Sequence, residues 1–144
     1  MTSTGTRSPV ARSASQRLHI ALWIAQGLVA LTFVGAGVWK LVTPIPQLAG
    51  MIPWAGDVPP TLLYTVAVID ILGGLGVLLP SLTRIRPGLA VLAGLGCLAL
   101  QLSAVLFHLF RGEATDTPFN FLLVAILIFI VWGRQVGAPI QPRA

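Results

Sequence analysis

The sequence predicts an all-α protein, a left-handed bundle of four membrane-spanning helices with a short interfacial segment between helices one and two. Three observations predict it. Of the 144 residues, 56% are hydrophobic and only 9% are charged, whereas a soluble domain carries roughly 25% charged residues. The apolar residues fall into four long runs, separated by short stretches rich in Pro, Gly and charge. None of the runs alternates in polarity as a membrane β-strand does, and none has the polar face of a soluble surface helix. A chain of this length supports one domain.

The expected spans cover residues 18–41, 61–79, 87–110 and 118–134. A bilayer core needs about 20 apolar residues as helix, with a range of about 17–25. The fourth run is the shortest and meets this only with Gly133 and Arg134 in the headgroup region. Pro60, Pro87 and Pro118 stand at the starts of runs two to four, where a residue without an N–H costs nothing. Thr117 is a candidate N-cap, and Pro80 is expected just past the second helix. Residues 1–17 read as a disordered basic tail rich in Ser, Thr, Arg and Ala. The four-helix domain is expected over 18–135, and 136–144 form a second short tail. The first run is longer than the apolar stretch of a signal peptide and has no Ala-x-Ala site before a polar start. It reads as a retained anchor. Trp23 and Trp132 fall near one membrane face and Trp39 and Trp54 near the other, as interfacial tryptophans do.

Basic residues set the orientation. Arg7, Arg12, Arg17, Arg84, Arg86, Arg134 and Arg143 share one side of a four-span chain, against Lys40 and Arg111 on the other. By the positive-inside rule both termini are cytoplasmic. The net charge of +5 is thus a topology signal, and no basic domain exists to bind nucleic acid. Cys97 is the only cysteine, which excludes an intrachain disulfide, Cys-x-x-Cys redox chemistry and a Cys-based zinc site. It reads as a small buried hydrophobe.

Polar residues within the spans are where function should show, because each is expensive in hydrocarbon. Gln26, Phe33 and Lys40 recur every seven residues on helix one, as do Gly94, Gln101 and His108 on helix three and Asn120, Leu127 and Arg134 on helix four. Seven residues is nearly two turns, so each set forms one stripe, expected to face inward. Small residues let helices approach closely; Gly37, Gly73, Gly74 and Gly94 are the packing candidates. Asp70, near the middle of helix two, shares a face with Leu63, Val66, Ala67, Gly73, Gly74 and Val77. It is expected to face the bundle interior, either as a buried hydrogen-bonded packing residue or as a binding or proton-handling group.

Helical rise places Gln101 within roughly 5 Å of Asp70 in depth, with Lys40, His108 and Asn120 roughly 10–15 Å nearer the outer face. A direct Lys40–Asp70 ion pair is a stretch at that separation unless helix two is shifted outward, and Lys40 has the alternative of snorkelling to the interface. Together Lys40, Asp70, Gln101, His108 and Asn120 suggest a polar pocket open to the non-cytoplasmic side. No metal is expected, because His19 and His108 sit at opposite faces and a metal needs several such ligands. Gly73-Gly74-x-Gly76 follows no strand, so helix packing explains it better than phosphate binding. The apolar segment after helix one predicts a short interfacial helix over Gln47 to Ile52 anchored by Trp54, either a membrane-hugging connector or a lid.

These features resemble the DoxX-like family of small four-helix bacterial membrane proteins. Phe33-Val34-Gly35-Ala36-Gly37-Val38-Trp39-Lys40-Leu41 is similar to the family's aromatic, Gly-rich, Lys-Leu end of helix one. Asp70-Ile71-Leu72-Gly73-Gly74-Leu75-Gly76 is similar to its acidic-x-x-Gly-Gly segment, where members often carry Glu rather than the shorter Asp. The Asn120 start of helix four and Trp132-Gly133-Arg134 fit as well, so the resemblance spans about residues 18–135. It implies a multi-pass protein of the bacterial inner membrane. It also implies a link to redox processes, since the family takes its name from a subunit of an archaeal quinone-linked thiosulfate-oxidising system. Three readings follow. The first is a non-catalytic membrane subunit or scaffold with redox-enzyme partners, touching quinone through the Asp70 pocket and needing no bound cofactor of its own. The second is a small-molecule or proton carrier in which Asp70 titrates; without inverted repeats it would have to form a homo-oligomer. The third, an enzyme in its own right, is the weakest, because no nucleophile–base pair and no metal set stands out.

Overall fold

A computed structural model describes residues 9–143 in six α-helices, and the side chains from residue 13 on. Helix α1 spans Pro9–Val42, α2 Ile45–Met51, α3 Trp54–Asp57, α4 Pro60–Thr83, α5 Gly88–Phe110 and α6 Pro118–Trp132. Four stretches are long and apolar enough to cross a membrane: Ser13–Val42, Pro60–Thr83, Gly88–Phe110 and Pro118–Gly137. Their outward faces carry bare apolar side chains, such as Leu31 (74% exposed) and Leu72 (63%). A lipid solvent accounts for such surfaces, and water does not. The four long helices pack in a ring in which α1 meets α4, α4 meets α5, α5 meets α6 and α6 returns to α1.

Local sequence explains the boundaries. The tail expected to lack structure is helical from Pro9 on. Residues 10–26 hold no proline, and Ala, Arg, Leu and Gln among them favour helix. Residues 1–8 of that tail lie outside the described residues. Beyond Val42, proline punctuates the chain. Ile52 and Val58 are extended, and each precedes a proline whose ring disfavours the helical region for its predecessor. The segment expected to hold one short helix over Gln47 to Ile52 therefore folds as α2 followed by the single turn α3. It is not loose: Leu48, Ala55 and Leu63 form a small buried core with Ile45, Ile52, Trp54 and Val58 packed against it.

Pro80, expected past the end of α4, sits inside it. A proline leaves the carbonyl four residues back without its donor and crowds the preceding turn. Here Gln26 Nε2 donates to the Val77 carbonyl (2.6 Å) and to Ser81 Oγ (2.9 Å). Helix α1 thereby supplies hydrogen bonds beside the weakened turn, as neighbouring helices do for membrane prolines. The main core joins Val29, Phe33, Val77, Cys97, Leu123, Leu127 and Ile130.

The four packing glycines all sit where helices approach. A Cβ on Gly37 would fall 2.5 Å from the Ala67 carbonyl oxygen, on Gly73 2.5 Å from Cys97 Sγ, on Gly74 2.9 Å from Val34, and on Gly94 3.0 Å from Val131. These contacts fix the register in which α1 crosses α4 and α5 crosses α6.

Past Trp132 the last helix widens by one residue per turn. Ala138 N–H donates to the Gly133 carbonyl, five residues back, at 2.7 Å. Arg84 and Arg86, in the turn between α4 and α5, hold φ of 59° and 47°. This left-handed region costs a side-chain-bearing residue roughly 1–2 kcal/mol. The Arg84 carbonyl accepts the Arg143 N–H at 3.0 Å, so the C-terminal segment packs against that turn. The α4–α5 turn and the C-terminal segment thus share one end of the bundle.

Candidate functional site

At the opposite end a cavity of about 690 Å³ opens between the long helices and the α2–α3 segment. All five expected site residues, Lys40, Asp70, Gln101, His108 and Asn120, line it. Its remaining walls are mostly apolar, with Phe33, Trp39, Trp54, Phe107 and Phe119 contributing aromatic faces. Met51, Ile52 and Pro53 border it from the α2–α3 side.

Asp70 is 5% exposed and faces the bundle interior, as the cost of a lipid-facing carboxylate requires. Lys40 Nζ donates to Asp70 Oδ2 at 2.6 Å, which corrects the expected depths and matches the alternative in which helix two is shifted outward. That expectation set the outer ends of the first two long helices level. Gly37 against Ala67 and Gly74 against Ala30 show instead that α4 projects beyond the end of α1. Asp70 is then about one turn, some 5 Å, deeper than Lys40, and the lysine stem spans the difference. The ammonium also lies 6.0 Å from the centroid of the Trp54 ring, so α3 helps to enclose the pair.

A second correction concerns Asn120. Its Nδ2 donates to Gln101 Oε1 at 2.9 Å, although Asn120 was expected roughly 10–15 Å nearer the outer face than Asp70 and hence well above Gln101. The Gly94–Val131 contact sets α6 deeper against α5, leaving about 6 Å between the two residues in height. Two amide side chains cover that distance. His108 turns from the cavity toward the rim, with its Nδ1 2.8 Å from Glu113 Oε2.

That rim is a clasp the sequence reading did not find. Arg111 bonds Glu113 Oε1 (2.9 Å) and Asp57 Oδ2 (2.6 Å), tying the end of α5 to α3 across 54 residues of sequence. The hydrogen bond from His108, with Arg111 adding to it, holds the Glu113 carboxyl below the usual glutamate range. The bonds to Asp57 and Glu113 raise Arg111 further above its ordinary value. His108, Glu113 and Asp116 also bring three ligand-type atoms within 4.8 Å of one another, a grouping not anticipated from the sequence. Glu113 there is already shared between His108 and a guanidinium, which a cation would have to displace.

A further buried polar group centres on Arg134, which the sequence placed both on an inward stripe and in the headgroup region without giving it a partner. Arg134 is 5% exposed. Its Nε donates to Gln26 Oε1 at 2.6 Å and its Nη1 to the Ala138 carbonyl at 3.3 Å, while its guanidinium lies over the Trp23 ring at 5.0 Å. Gln26 and Arg134 both belong to the inward stripes, at the same end of the bundle. That coincidence was the available signal.

A family model described as the DoxX-like family matches residues 24–130. No curated protein and no solved structure matches the chain. The four apolar spans, the ion pair joining the Lys-Leu end of α1 to the acidic-x-x-Gly-Gly segment of α4, and the family match over most of the chain agree: this multi-pass membrane protein belongs to the DoxX-like family.

Proposed function

We propose that the protein is a non-catalytic membrane subunit or scaffold that binds an amphiphilic, quinone-type molecule in the cavity around Lys40 and Asp70, in the service of a redox-enzyme partner. The observation that carries this reading is the Lys40–Asp70 ion pair on the wall of an aromatic-lined cavity of about 690 Å³. Ligand sites combine mostly apolar walls with a few convergent polar groups. Here an ammonium and two amides would meet carbonyl oxygens, while Trp39, Phe107 and Phe119 would flank a ring. One hydroxyl of the cavity wall, Ser103, is bonded to the Ala99 carbonyl, which supports binding over nucleophilic chemistry there. The arginine distribution supports a bacterial inner-membrane location with both termini cytoplasmic and the cavity opening outward. The α2–α3 segment would then act as its lid.

Purified protein in nanodiscs, titrated with a short-chain quinone and followed by tryptophan quenching, tests the reading. Saturable binding that Lys40→Met weakens at least about tenfold, the worth of one charge-assisted hydrogen bond, is expected. No saturable quenching by any quinone would overturn it.

A carrier is the second reading, favoured by the 2.6 Å contact between two titratable groups in a largely buried setting. Proton-coupled uptake into proteoliposomes, lost in Asp70→Asn, would select it. Such transport would require several copies of the chain.

A further inference from the structure

We propose that the Lys40–Asp70 cavity opens sideways into the outer half of the bilayer through a slot between α1 and α6, and that its ligand is a membrane-dissolved amphiphile whose chain leaves by that slot. The inference rests on the reading of the cavity as a site for a quinone-type head, and it adds the route of entry and the chain. Of the four seams in the helix ring, that between α1 and α6 has the least contact. The two helices close on each other at the inner end, where Gln26 Oε1 accepts a hydrogen bond from Arg134 Nε at 2.6 Å and Gly133 admits Leu22. Farther out the same two flanks lose their cover. Ala25 on α1 is 8% exposed, whereas Ala36, eleven residues and about three turns on along that flank, is half-buried. Ile130 on α6 is fully buried, whereas Phe119, eleven residues toward the outer end, is 57% exposed.

Ala36 and Phe119 both line the cavity, together with Thr32 and Leu123, so the cavity lies between the separated flanks. On α1 these positions avoid the α4 side, where Ala30, Val34 and Gly37 meet Gly74 and Ala67. Thr32, half-buried as well, is ten residues from the end of α1 at Val42, about 15 Å along the helix. That is half of a hydrocarbon core roughly 30 Å thick, so the slot faces acyl chains and not only headgroups. Above it α3 forms a roof. Trp54 packs edge-on against Phe107, with ring centroids 6.0 Å apart, and Arg111 holds Asp57. A ligand already dissolved in the membrane reaches Lys40 without displacing that roof. A chain in the slot exchanges contacts with lipid for contacts of like polarity and gains little. The head, held by Lys40 and Asn120, therefore supplies the affinity, and the slot supplies room for the chain.

Full-length protein in nanodiscs tests the slot without any quinone. Ala104, half-buried in the cavity wall on α5, is replaced through Ala104→Cys in a Cys97→Ala background. Labelling by a lipid-dissolved N-alkyl maleimide is compared with labelling by a charged, membrane-impermeant thiol reagent. The alkyl maleimide should react, and Ala36→Phe, which fills the slot, should slow it at least about tenfold, the scale of overpacking a close contact, while the charged reagent keeps its rate. Leu62→Trp, at an exposed position of the wall on α4, tests entry beside that helix and should leave both rates unchanged. Phe119→Ala, which widens the mouth, should speed the alkyl reagent alone, whereas a misfolded variant would speed both. Benzoquinones with methyl and hexadecyl chains then test the ligand. At equal mole fraction in the membrane they should bind the parent within about threefold of each other. Ala36→Phe should weaken the hexadecyl compound at least about tenfold more than the methyl one. Labelling as expected with neither quinone bound would overturn the quinone-type reading while supporting the slot. No reaction with the alkyl maleimide, an undiminished rate in Ala36→Phe, or slowing by Leu62→Trp instead would each overturn the slot. A hexadecyl quinone excluded by a parent that binds the methyl one would overturn the chain.

Discussion

Lys40 and Asp70 show how a single side-chain pair reports on a whole register. Their side chains keep 12% and 7% exposure, so each is costly to bury alone and tolerable only with the other. Breaking a fully buried pair costs about 3–5 kcal/mol, whereas replacing both partners by apolar groups is often neutral. Lys40→Met should therefore lower the unfolding midpoint in a detergent titration, and Lys40→Met combined with Asp70→Leu should recover most of the loss. A double variant no more stable than Lys40→Met alone would show that the pair is not energetically coupled. Asp70→Asn asks a different question, since Asn keeps the size and most hydrogen bonds but cannot ionise. At equal protein abundance it should abolish the cellular phenotype of the parent, and an unchanged phenotype would leave Asp70 a packing residue. The inward facing of Asp70 was legible from its chemistry. Its partner was not, because depth had to be counted from helix ends, and the contacts of Gly37 with Ala67 and of Gly74 with Ala30 offset those ends.

Helices of this bundle are placed by where a Cβ cannot go. Gly35 and Gly37 are two residues apart on α1, yet a Cβ on Gly35 meets nothing within 4 Å and one on Gly37 meets the Ala67 backbone at 2.5 Å. Gly37→Ala should push α1 from α4 and cost about 1–3 kcal/mol, the range for overpacking a close contact, whereas Gly35→Ala should cost nothing. Equal melting of the two variants would contradict the helix register. Between elements, the His108–Glu113–Arg111–Asp57 clasp ties α5 to α3 through surface charges and so depends on pH. Glu113 is held below its ordinary range, so its contribution is complete above that range and disappears as pH falls through the depressed value. The midpoint difference between the parent and Glu113→Gln should accordingly be largest near neutrality and close on acidification below about pH 4; a difference that grows with acid would reverse the assignment. Starts of α4 and α6 at prolines were readable, because a first-turn proline has a local physical cause. Continuation of α4 through Pro80 was not, because the hydrogen bonds that support the helix beside it come from Gln26, 51 residues away from Val77.

At the scale of the molecule, membrane character was legible in composition because lipid imposes a uniform demand on every outward side chain. The pairing of Gln26 with Arg134 was not legible, although both lie on inward stripes, because Arg134 also looks like a boundary residue where a short helix ends. What the fold adds to orientation is parity. The hydrogen bond from Arg143 to Arg84 and the approach of Arg134 to His19 bring the C-terminal segment, the α4–α5 turn and the inner half of α1 to one end. The arginines of these segments must therefore be sorted together, and the other end is left with Lys40, Arg111 and all of the surface acids. Translocation retains clusters of Lys and Arg on the cytoplasmic side, and acidic residues contribute little to that choice. A reporter fused after Ala144 should accordingly report a cytoplasmic position, and one inserted within residues 112–115, in the turn before α6, a non-cytoplasmic one. Since one end carries so few basic residues, replacing Arg84 and Arg86 by Gln should weaken the preference, and adding lysines to the 112–115 turn as well should give mixed orientations. An external C-terminal reporter in the parent chain would refute the orientation while leaving the fold intact, because the ring of antiparallel helices is the same whichever way it is inserted.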